Sequence, residues 1–188
     1  YFKVTVNIDV LQVNNATLTT CSNANGSGTF NLTSAVVTSN TGTTITYYSN
    51  AALTTQITAP ATYTTTSNIA YAKVTSQYGC SKTAQISLTI NPSPNINTAN
   101  YNGTLCDDNL DGIINIYFST ITPQIVTNSA NFTVKYYLSS ADATAGNANN
   151  LPNNWSYTTA TTVYVRVESA NGCPPAFGQI NFAIGNKI

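Results

Sequence analysis

The chain repeats itself once. Seven short segments that begin at Cys21 recur in the same order from Cys106 onward, at a spacing that grows from 85 (106 − 21) at the first cysteine to 93 (173 − 80) at the last. The first copy has Cys21, Phe30–Leu32, Ile45–Tyr48, Tyr63–Thr65, Tyr71–Val74, Tyr78–Cys80 and Ile86–Leu88. The second has Cys106, Ile116–Phe118, Val134–Tyr137, Tyr157–Thr159, Tyr164–Val167, Asn171–Cys173 and Ile180–Phe182. A unit of about 90 residues that recurs with small loop insertions predicts two modules of the same fold.

The repeat also predicts the domain boundaries. Residues 8–91 and 96–188 are expected to be the two modules, joined by a linker at residues 92–95. Pro92 and Pro94 in this linker fix φ and lack a backbone donor, so a sheet must stop there. The segment Tyr1–Val6 aligns on Ile86–Ile90 at an offset of 84, so residues 1–7 are expected to be the last strand of a preceding module or an N-terminal strand. Because the sequence contains no methionine, we expect this chain to be a piece of a longer array.

Both copies are dominated by strand patterns. Segments such as Ile69–Val74 and Val163–Val167 are rich in β-branched and aromatic residues, and Gly, Asn, Pro or Ser bound them. No segment shows a sustained helical stripe of apolar residues. Short strands at intervals of about 8 to 12 residues are typical of an antiparallel β-sandwich, which we expect for each module.

Each copy carries one pair of cysteines, which predicts the disulfides Cys21–Cys80 and Cys106–Cys173. Each bond is expected to tie one end of its module. The alternative, zinc binding, needs closely spaced ligands or histidines, and the sequence has no His. Disulfides in a small domain indicate an oxidising, extracellular setting.

Charge and composition exclude several functions. Charged residues make up only 6% of the chain and the net charge is zero, so no electrostatic footprint for nucleic acid is present. No apolar run approaches the roughly 20 residues that span a bilayer. The lack of His, of a G-x-S-x-G motif and of a free thiol in fully paired modules predicts that the segment is not an enzyme. We therefore expect neither a nucleic-acid partner nor membrane insertion.

An acidic segment in the second copy suggests a cation site. Asp107-Asp108-Asn109-Leu110-Asp111-Gly112 resembles a calcium-binding loop, with Asp107, Asn109 and Asp111 as the oxygen ligands. An EF-hand is excluded because the twelfth position is Phe118 rather than Glu. The alternative is an acidic surface turn without a metal. The first copy has Ser22–Gly26 at this place, without a carboxylate, so calcium would bind one module only.

Trp155 is the only tryptophan of the chain and follows Leu151–Asn154, a segment expected to be a loop. One interpretation is a stacking platform for a sugar ring. The other is an aromatic side chain that covers a module end or the edge of the core.

The order of the motifs resembles a known family. A Cys, a loop rich in Asn, Asp and Gly, the strand Phe30–Thr33, the Tyr-Tyr pair, Tyr-x-Lys/Arg-Val and Gly-Cys resemble Ig-like repeats of large exported surface proteins of Bacteroidota, including gliding-motility adhesins of the SprB type. The resemblance implies an all-β chain of two tandem Ig-like antiparallel β-sandwich domains, with one disulfide each. It also implies export by the type IX secretion route and a place at the bacterial cell surface or in the secreted fraction.

These observations predict a non-catalytic repeat segment of an adhesin or stalk that presents a binding surface away from the cell. Its partners would be neighbouring modules of the same chain, together with surface glycans or other cell-surface proteins. Two alternatives remain open. The chain could be a carbohydrate- or calcium-binding accessory module of a secreted enzyme, or a subunit of an extracellular fibre in which Tyr1–Val6 pairs with another chain.

Overall fold

The computed structural model describes residues 10–185, and within it the chain divides into two compact units at the bond between Asn91 and Pro92. We call these units module 1 and module 2. The strand expected at residues 1–7 lies outside the described residues. No helix within the described range is long and apolar enough to span a membrane.

Within residues 10–91, module 1 has six strands in two sheets. The strands are β1 (Ala16–Cys21), β2 (Gly28–Phe30), β3 (Thr44–Tyr48), β4 (Tyr63–Thr65), β5 (Ile69–Thr75) and β6 (Ser81–Asn91). The larger sheet has the order β1-β6-β5-β3, and β2 pairs with β4 in a second sheet. Short 3₁₀ turns at Leu32–Ser34 and Pro60–Thr62 follow β2 and precede β4.

Module 2 has the same six strands in the same pairing. They are β7 (Thr104–Cys106), β8 (Ile114–Tyr117), β9 (Phe132–Tyr137), β10 (Asn154–Tyr157), β11 (Thr161–Ser169) and β12 (Ala176–Gly185). Their sheets have the orders β7-β12-β11-β9 and β10-β8. The sequence repeat is therefore a repeat of topology, and the prediction of two tandem Ig-like domains is confirmed.

The sheets are mixed rather than purely antiparallel. β1 runs parallel to β6, with Ala16 opposite Ile86 and Cys21 opposite Asn91. β7 runs parallel to β12 in the same way, and Cys106 lies opposite Gly185. The first strand of each module therefore follows the direction of its last strand. The alternation of residues along a strand does not encode the direction of its partner, which is why the sequence did not reveal this pairing.

The cores lie on the inner faces of the large sheets. In β5, the alternate residues Ala70, Ala72 and Val74 have no exposed surface, while the residues between them are half-buried. In β11, the residues at these places are Val163, Val165 and Val167, which are also completely buried. Module 2 fills its core further with aromatic rings, and Phe118 stacks on Tyr136 at 3.8 Å between ring centroids.

Module 2 also contains two short helices, which the expected all-β fold did not include. The observed fold is therefore mostly β. Helix α1 (Phe118–Ile125) buries Phe118, Ile121 and Ile125 on one face. This stripe covers only two turns, too few for a sustained helical pattern to be recognised in the sequence. Helix α2 (Ser140–Ala145) begins after Ser139, whose side chain accepts a hydrogen bond from Asp142 N, and ends at Gly146 in the left-handed conformation.

Candidate functional site

The four cysteines lie at opposite ends of their modules. Cys21 is the last residue of β1 and lies opposite Asn91, the last residue of β6. Cys80 directly precedes Ser81, the first residue of β6. A strand of 11 residues at about 3.3 Å per residue spans roughly 33 Å. The two cysteines of module 1 are therefore separated by about the length of β6.

Module 2 repeats this arrangement. Cys106 lies opposite Gly185, the last residue of β12, and Cys173 comes before Ala176, the first residue of that strand. Cys106 occupies the position of Cys21 in the repeat, and Cys173 occupies that of Cys80. Each module thus has its first cysteine at one end of the large sheet and its second cysteine at the other end.

In the structure Cys21 and Cys173 are disulfide-bonded, whereas Cys80 and Cys106 are free thiols. The predicted pairs Cys21–Cys80 and Cys106–Cys173, one in each module, are therefore wrong. A disulfide requires Cα atoms about 4.4 to 6.8 Å apart, and the parallel pairing of the first and last strands keeps the cysteines of one module much farther apart. A purely antiparallel module does not impose this separation.

The path of the chain gives each module an entry end and an exit end. In module 1, Lys82 Nζ donates a hydrogen bond to Leu11 O at 2.7 Å, so the chain enters beside the start of β6, where Cys80 lies. It leaves the module at Asn91, beside Cys21. The entry end of module 1 thus carries its second cysteine, and its exit end carries the first.

The same directions hold in module 2. Ile96 and Thr98 pack over Gly178 near the start of β12, so the chain enters at the end that carries Cys173. Cys106 lies at the exit end, opposite Gly185. The two disulfide-bonded cysteines are therefore the exit-end cysteine of module 1 and the entry-end cysteine of module 2.

These features define a class of protein: tandem Ig-like modules, each with one cysteine at either end of its large sheet. The chain belongs to the family described as the Flavobacterium inter-domain disulphide bond domain, whose sequence profile matches residues 17–94 and 102–186. The two matches correspond to the two modules. No curated protein matches the chain.

Several solved structures of tandem immunoglobulin domains align with the chain. Sidekick-1 immunoglobulin domains 1-4 align over 91% of this chain and 49% of that protein, at 11% identity and a TM-score of 0.28. The insect immune protein hemolin aligns over 94% and 46%, at 12% identity and a TM-score of 0.43. The pair IG1+IG2 of DIP-gamma aligns over 96% and 97%, at 9% identity and a TM-score of 0.39. The chain spans about half the length of Sidekick-1 domains 1-4.

The acidic segment forms a tight turn held by its own side chains. Asp107 Oδ2 accepts a hydrogen bond from Gly112 N at 2.7 Å, and Asp111 Oδ1 accepts one from Ile113 N at 2.8 Å. Asn109 Nδ2 donates to Asp111 Oδ2 at 2.9 Å. Three of the carboxylate oxygens therefore hold the turn through hydrogen bonds.

The equivalent turn of module 1 has the same design without charge. Asn25 Oδ1 accepts a hydrogen bond from Ser27 N at 3.1 Å, just as Asp111 accepts one from the residue two places further on. Gly26 and Gly112, the next residues, both have positive φ, at 81° and 77°. The turn thus needs a side-chain oxygen and a glycine rather than a carboxylate.

One observation remains for the calcium hypothesis. Asp107 Oδ1 is the only buried side-chain nitrogen or oxygen within residues 10–185 that lacks a hydrogen-bond partner. The same range contains no group of three or more His, Cys, Asp or Glu residues able to hold a metal ion. Calcium binding at Asp107, Asn109 and Asp111 stays a prediction.

Trp155 lies in strand β10 opposite Ile116 of β8, and not in a loop as expected. Its ring is half-buried against the core of module 2. It stacks on Tyr157 at 5.5 Å and on Phe118 at 6.0 Å between centroids, and it meets Phe182 edge-on at 5.9 Å. Much of the indole surface is therefore in contact with other rings of the module.

A charged cluster on the outer face of module 2 was not found by sequence analysis. Arg166 Nε donates to Glu168 Oε1 at 2.5 Å, and Lys135 Nζ forms an ion pair with Glu168 Oε2 at 3.1 Å. Arg166 Nη1 also donates to the carbonyl oxygens of Ala143 and Thr144 at the end of α2. The signal in the sequence was the only Arg and the only Glu of the chain, two residues apart on one strand.

This cluster has a structural role. The hydrogen bond from Arg166, followed by the contacts with Lys135, holds the pKa of Glu168 below its usual value. The guanidinium binds carbonyl groups at the C-terminal end of α2, where a positive charge is favourable. It also lies 5.4 Å from the centroid of the Phe177 ring. The equivalent residue of module 1 is Lys73, where no helix is present.

Proposed function

We propose that the chain is a non-catalytic repeat segment of an adhesin or stalk at the surface of a bacterial cell. The observation that carries the proposal is that Cys21 of module 1 and Cys173 of module 2 are disulfide-bonded. We infer that they bond each other, because the family is described as an inter-domain disulphide bond domain. A disulfide of this kind persists in an oxidising compartment outside the cytoplasm. A binding surface on a neighbouring segment would be held away from the cell by such modules.

The covalent topology suits a segment that carries load. When tension is applied at the two termini, the force passes along the chain to Cys21, crosses the disulfide and continues from Cys173. The residues between these cysteines form a closed loop that the bond shields from extension. Most strands of both modules therefore lie outside the path of the force.

The composition supports the same role. The polar positions are filled mainly by Thr, Asn and Ser, and the net charge is zero. Such a surface has no strong field that would attract nucleic acid or an anionic membrane. The type IX secretion route, gliding motility and partners such as surface glycans or other cell-surface proteins belong to this proposal through the resemblance to SprB-type adhesins.

Surface display is the direct test. An antibody raised against the chain should label intact cells of the source organism, and a protease that does not cross the outer membrane should remove the label. A periplasmic protein serves as the control and should survive the protease. Loss of the label in a strain without type IX secretion would support that route, whereas an antigen accessible only in lysed cells would overturn the proposal.

A further inference from the structure

A pocket of about 320 Å³ lies beside strands β3 and β4 of module 1. Its walls are Ser49 directly after β3, the segment 55–59 and the start of β4. Ile57 and Tyr63 line the pocket and also pack against the core of the module, so they form its apolar part. Ordinary ligand pockets have volumes of about 300 to 1,000 Å³, so this pocket suits a small ligand.

Backbone hydrogen bonds hold the walls of the pocket in place. Ser49 N donates to Thr55 O at 3.0 Å, and Ile57 N donates to Tyr47 O at 2.8 Å. These bonds attach the segment 55–57 to the outer edge of β3. The opposite wall belongs to β4, which pairs with β2. The pocket is therefore formed by the fold itself, as is usual for small-molecule sites.

Polar side chains around the pocket have hydrogen-bonding capacity to spare. The side chains of Ser49, Gln56 and Thr58 line the pocket and make no hydrogen bond within residues 10–185. A hydroxyl group both donates and accepts, and the amide of Gln56 has an acceptor oxygen and two N–H donors. Among the described residues, no charged side chain lines the pocket. These groups match a neutral ligand that carries several hydroxyls.

Tyr63 supplies an aromatic ring for such a ligand. Its side chain is half-buried, and no other ring of the described residues lies against it. Trp155, the sugar platform that the sequence suggested, instead meets three rings of its own module. An aromatic face packs well against apolar C–H groups. A sugar ring combines a C–H face with hydroxyls at its rim, and the pocket combines the face of Tyr63 with hydroxyl and amide groups.

We propose that module 1 binds a neutral sugar residue in this pocket. The sugar ring packs on Tyr63, and its hydroxyls bond the side chains of Ser49, Gln56 and Thr58. An acidic sugar would require a basic side chain, which the lining of the pocket does not include. This inference rests on the proposed function, in which surface glycans are among the partners, and it gives these glycans a site.

Titration of the purified chain with neutral disaccharides tests the proposal. The panel contains disaccharides of glucose, galactose, mannose and N-acetylglucosamine at up to tens of millimolar, and two-dimensional NMR of the nitrogen-15-labelled chain follows the amide signals. We expect at least one sugar to shift the signals of residues 55–64 in a saturable way, while the signals of module 2 stay in place. The absence of saturable shifts at these residues with every sugar would overturn the inference.

Variants of the pocket separate the contribution of the ring from that of the amide. Tyr63→Ala should weaken binding by roughly tenfold, because the stacking surface is lost. Tyr63→Phe keeps the ring and should bind almost as tightly as the original chain. Gln56→Ala should weaken binding about two- to tenfold through the loss of hydrogen bonds. Because Gln56 is exposed and Tyr63 packs in part against the core, Gln56→Ala decides the outcome if Tyr63→Ala does not fold.

Tyr78→Ala is the matched control. Tyr78 is another tyrosine of module 1, is 67% exposed and does not line the pocket. This variant and Trp155→Phe should bind the sugar as the original chain does. Unchanged affinity in Gln56→Ala, or loss of binding in Trp155→Phe with Tyr63→Phe unaffected, would place the sugar elsewhere and overturn the inference. The titration uses purified protein, so its failure is distinct from a failure of surface display.

Discussion

Residues at equivalent positions of the two modules keep the same contacts although their chemistry differs. Asn25 and Asp111 both accept a hydrogen bond from the backbone two residues further on, before a glycine with positive φ. The sequence indicated a turn at both places. It could not show whether the carboxylates of module 2 are free to bind a cation, because that depends on which backbone N–H groups they reach.

The variant Asp111→Asn tests the role of this carboxylate. It copies Asn25 of module 1, so we expect the free energy of unfolding to change by less than about 0.5 kcal/mol. Asp111→Ala removes two hydrogen bonds of the turn and should cost about 1 kcal/mol. Thermal melts followed by the fluorescence of Trp155, the only tryptophan, report on module 2 alone.

The same melts test calcium binding. Repeated in millimolar calcium and in a chelator, they would confirm the cation site if the melting temperature of the original chain rises with calcium and this rise is lost in Asp111→Asn. Identical melts with and without calcium would contradict it.

Tyr136 should make module 2 sensitive to alkali. Burial raises the pKa of Tyr136 to about 12, Thr122 Oγ1 lowers it in part through a hydrogen bond, and Tyr101 raises it further. Because the pKa is higher in the folded state than the ordinary value of 10.0, its contribution to stability is complete below pH 10 and is lost as the pH rises towards 12. A shift of this size corresponds to about 2 to 3 kcal/mol.

Chemical denaturation at a series of pH values is the measurement, again followed through Trp155. The variant Tyr136→Phe should flatten the loss of stability above pH 10, at a cost of about 1 kcal/mol at neutral pH for the hydrogen bond with Thr122. Burial also raises the pKa of Tyr101 and Tyr157. Part of the decrease of the unfolding free energy with pH should therefore remain in this variant. An unchanged slope in Tyr136→Phe would show that this side chain does not carry the effect.

The parallel pairing of the first and last strands is the decisive feature among the elements. It keeps the two cysteines of a module about one strand length apart and thereby rules out a bond within the module. Most strands could be predicted from the sequence, because β-branched and aromatic residues mark them clearly. The partner of each strand could not be predicted, because strands such as β1 and β6 are separated by most of the sequence of their module.

Gly103 lies directly before β7, where the backbone closely approaches β12. A Cβ atom at Gly103 would overlap the backbone carbonyl of Asn181, and Ala183 N donates to Gly103 O at 3.1 Å. We expect Gly103→Ala to destabilise module 2 by about 1 to 3 kcal/mol, because backbone rather than a flexible side chain must move. In a domain of this size, each kcal/mol lowers the melting temperature by about 4 to 8 °C.

Gly185→Ala is the matched control at the other end of the same pair of strands. Its added Cβ would meet no atom closer than 3.4 Å. Its melting temperature should therefore stay near that of the original chain. Equal effects of the two substitutions would indicate that the loss comes from the change of residue type and not from the close approach at Gly103.

For the whole molecule, the proposed bond between Cys21 and Cys173 determines how the chain responds to tension. Only 20 residues precede Cys21 and 15 follow Cys173. At about 3.5 Å per extended residue, the oxidised chain held at its termini can extend to roughly 120 Å. The reduced chain can extend to roughly 650 Å.

Single-molecule force spectroscopy measures this difference directly. We expect the long extension to appear only after reduction or in Cys21→Ser, which cannot form the bond. Cys80→Ser is the control that keeps the disulfide and should behave as the oxidised chain. A long extension of the oxidised original chain would show that the bond is not Cys21–Cys173.

The repeat, the strands and the class of fold follow from the sequence alone, because they depend on local patterns: residues that alternate along a strand, turn residues between strands and motifs that recur in order. The disulfide pairing, the small helices and the location of Trp155 do not. They depend on which segments meet after the chain has folded, above all on the parallel pairing that places two sequence-equivalent cysteines at opposite ends of each module. Two cysteines per repeat therefore suggested closed modules, whereas in the folded chain Cys21 and Cys173 are bonded and Cys80 and Cys106 are free.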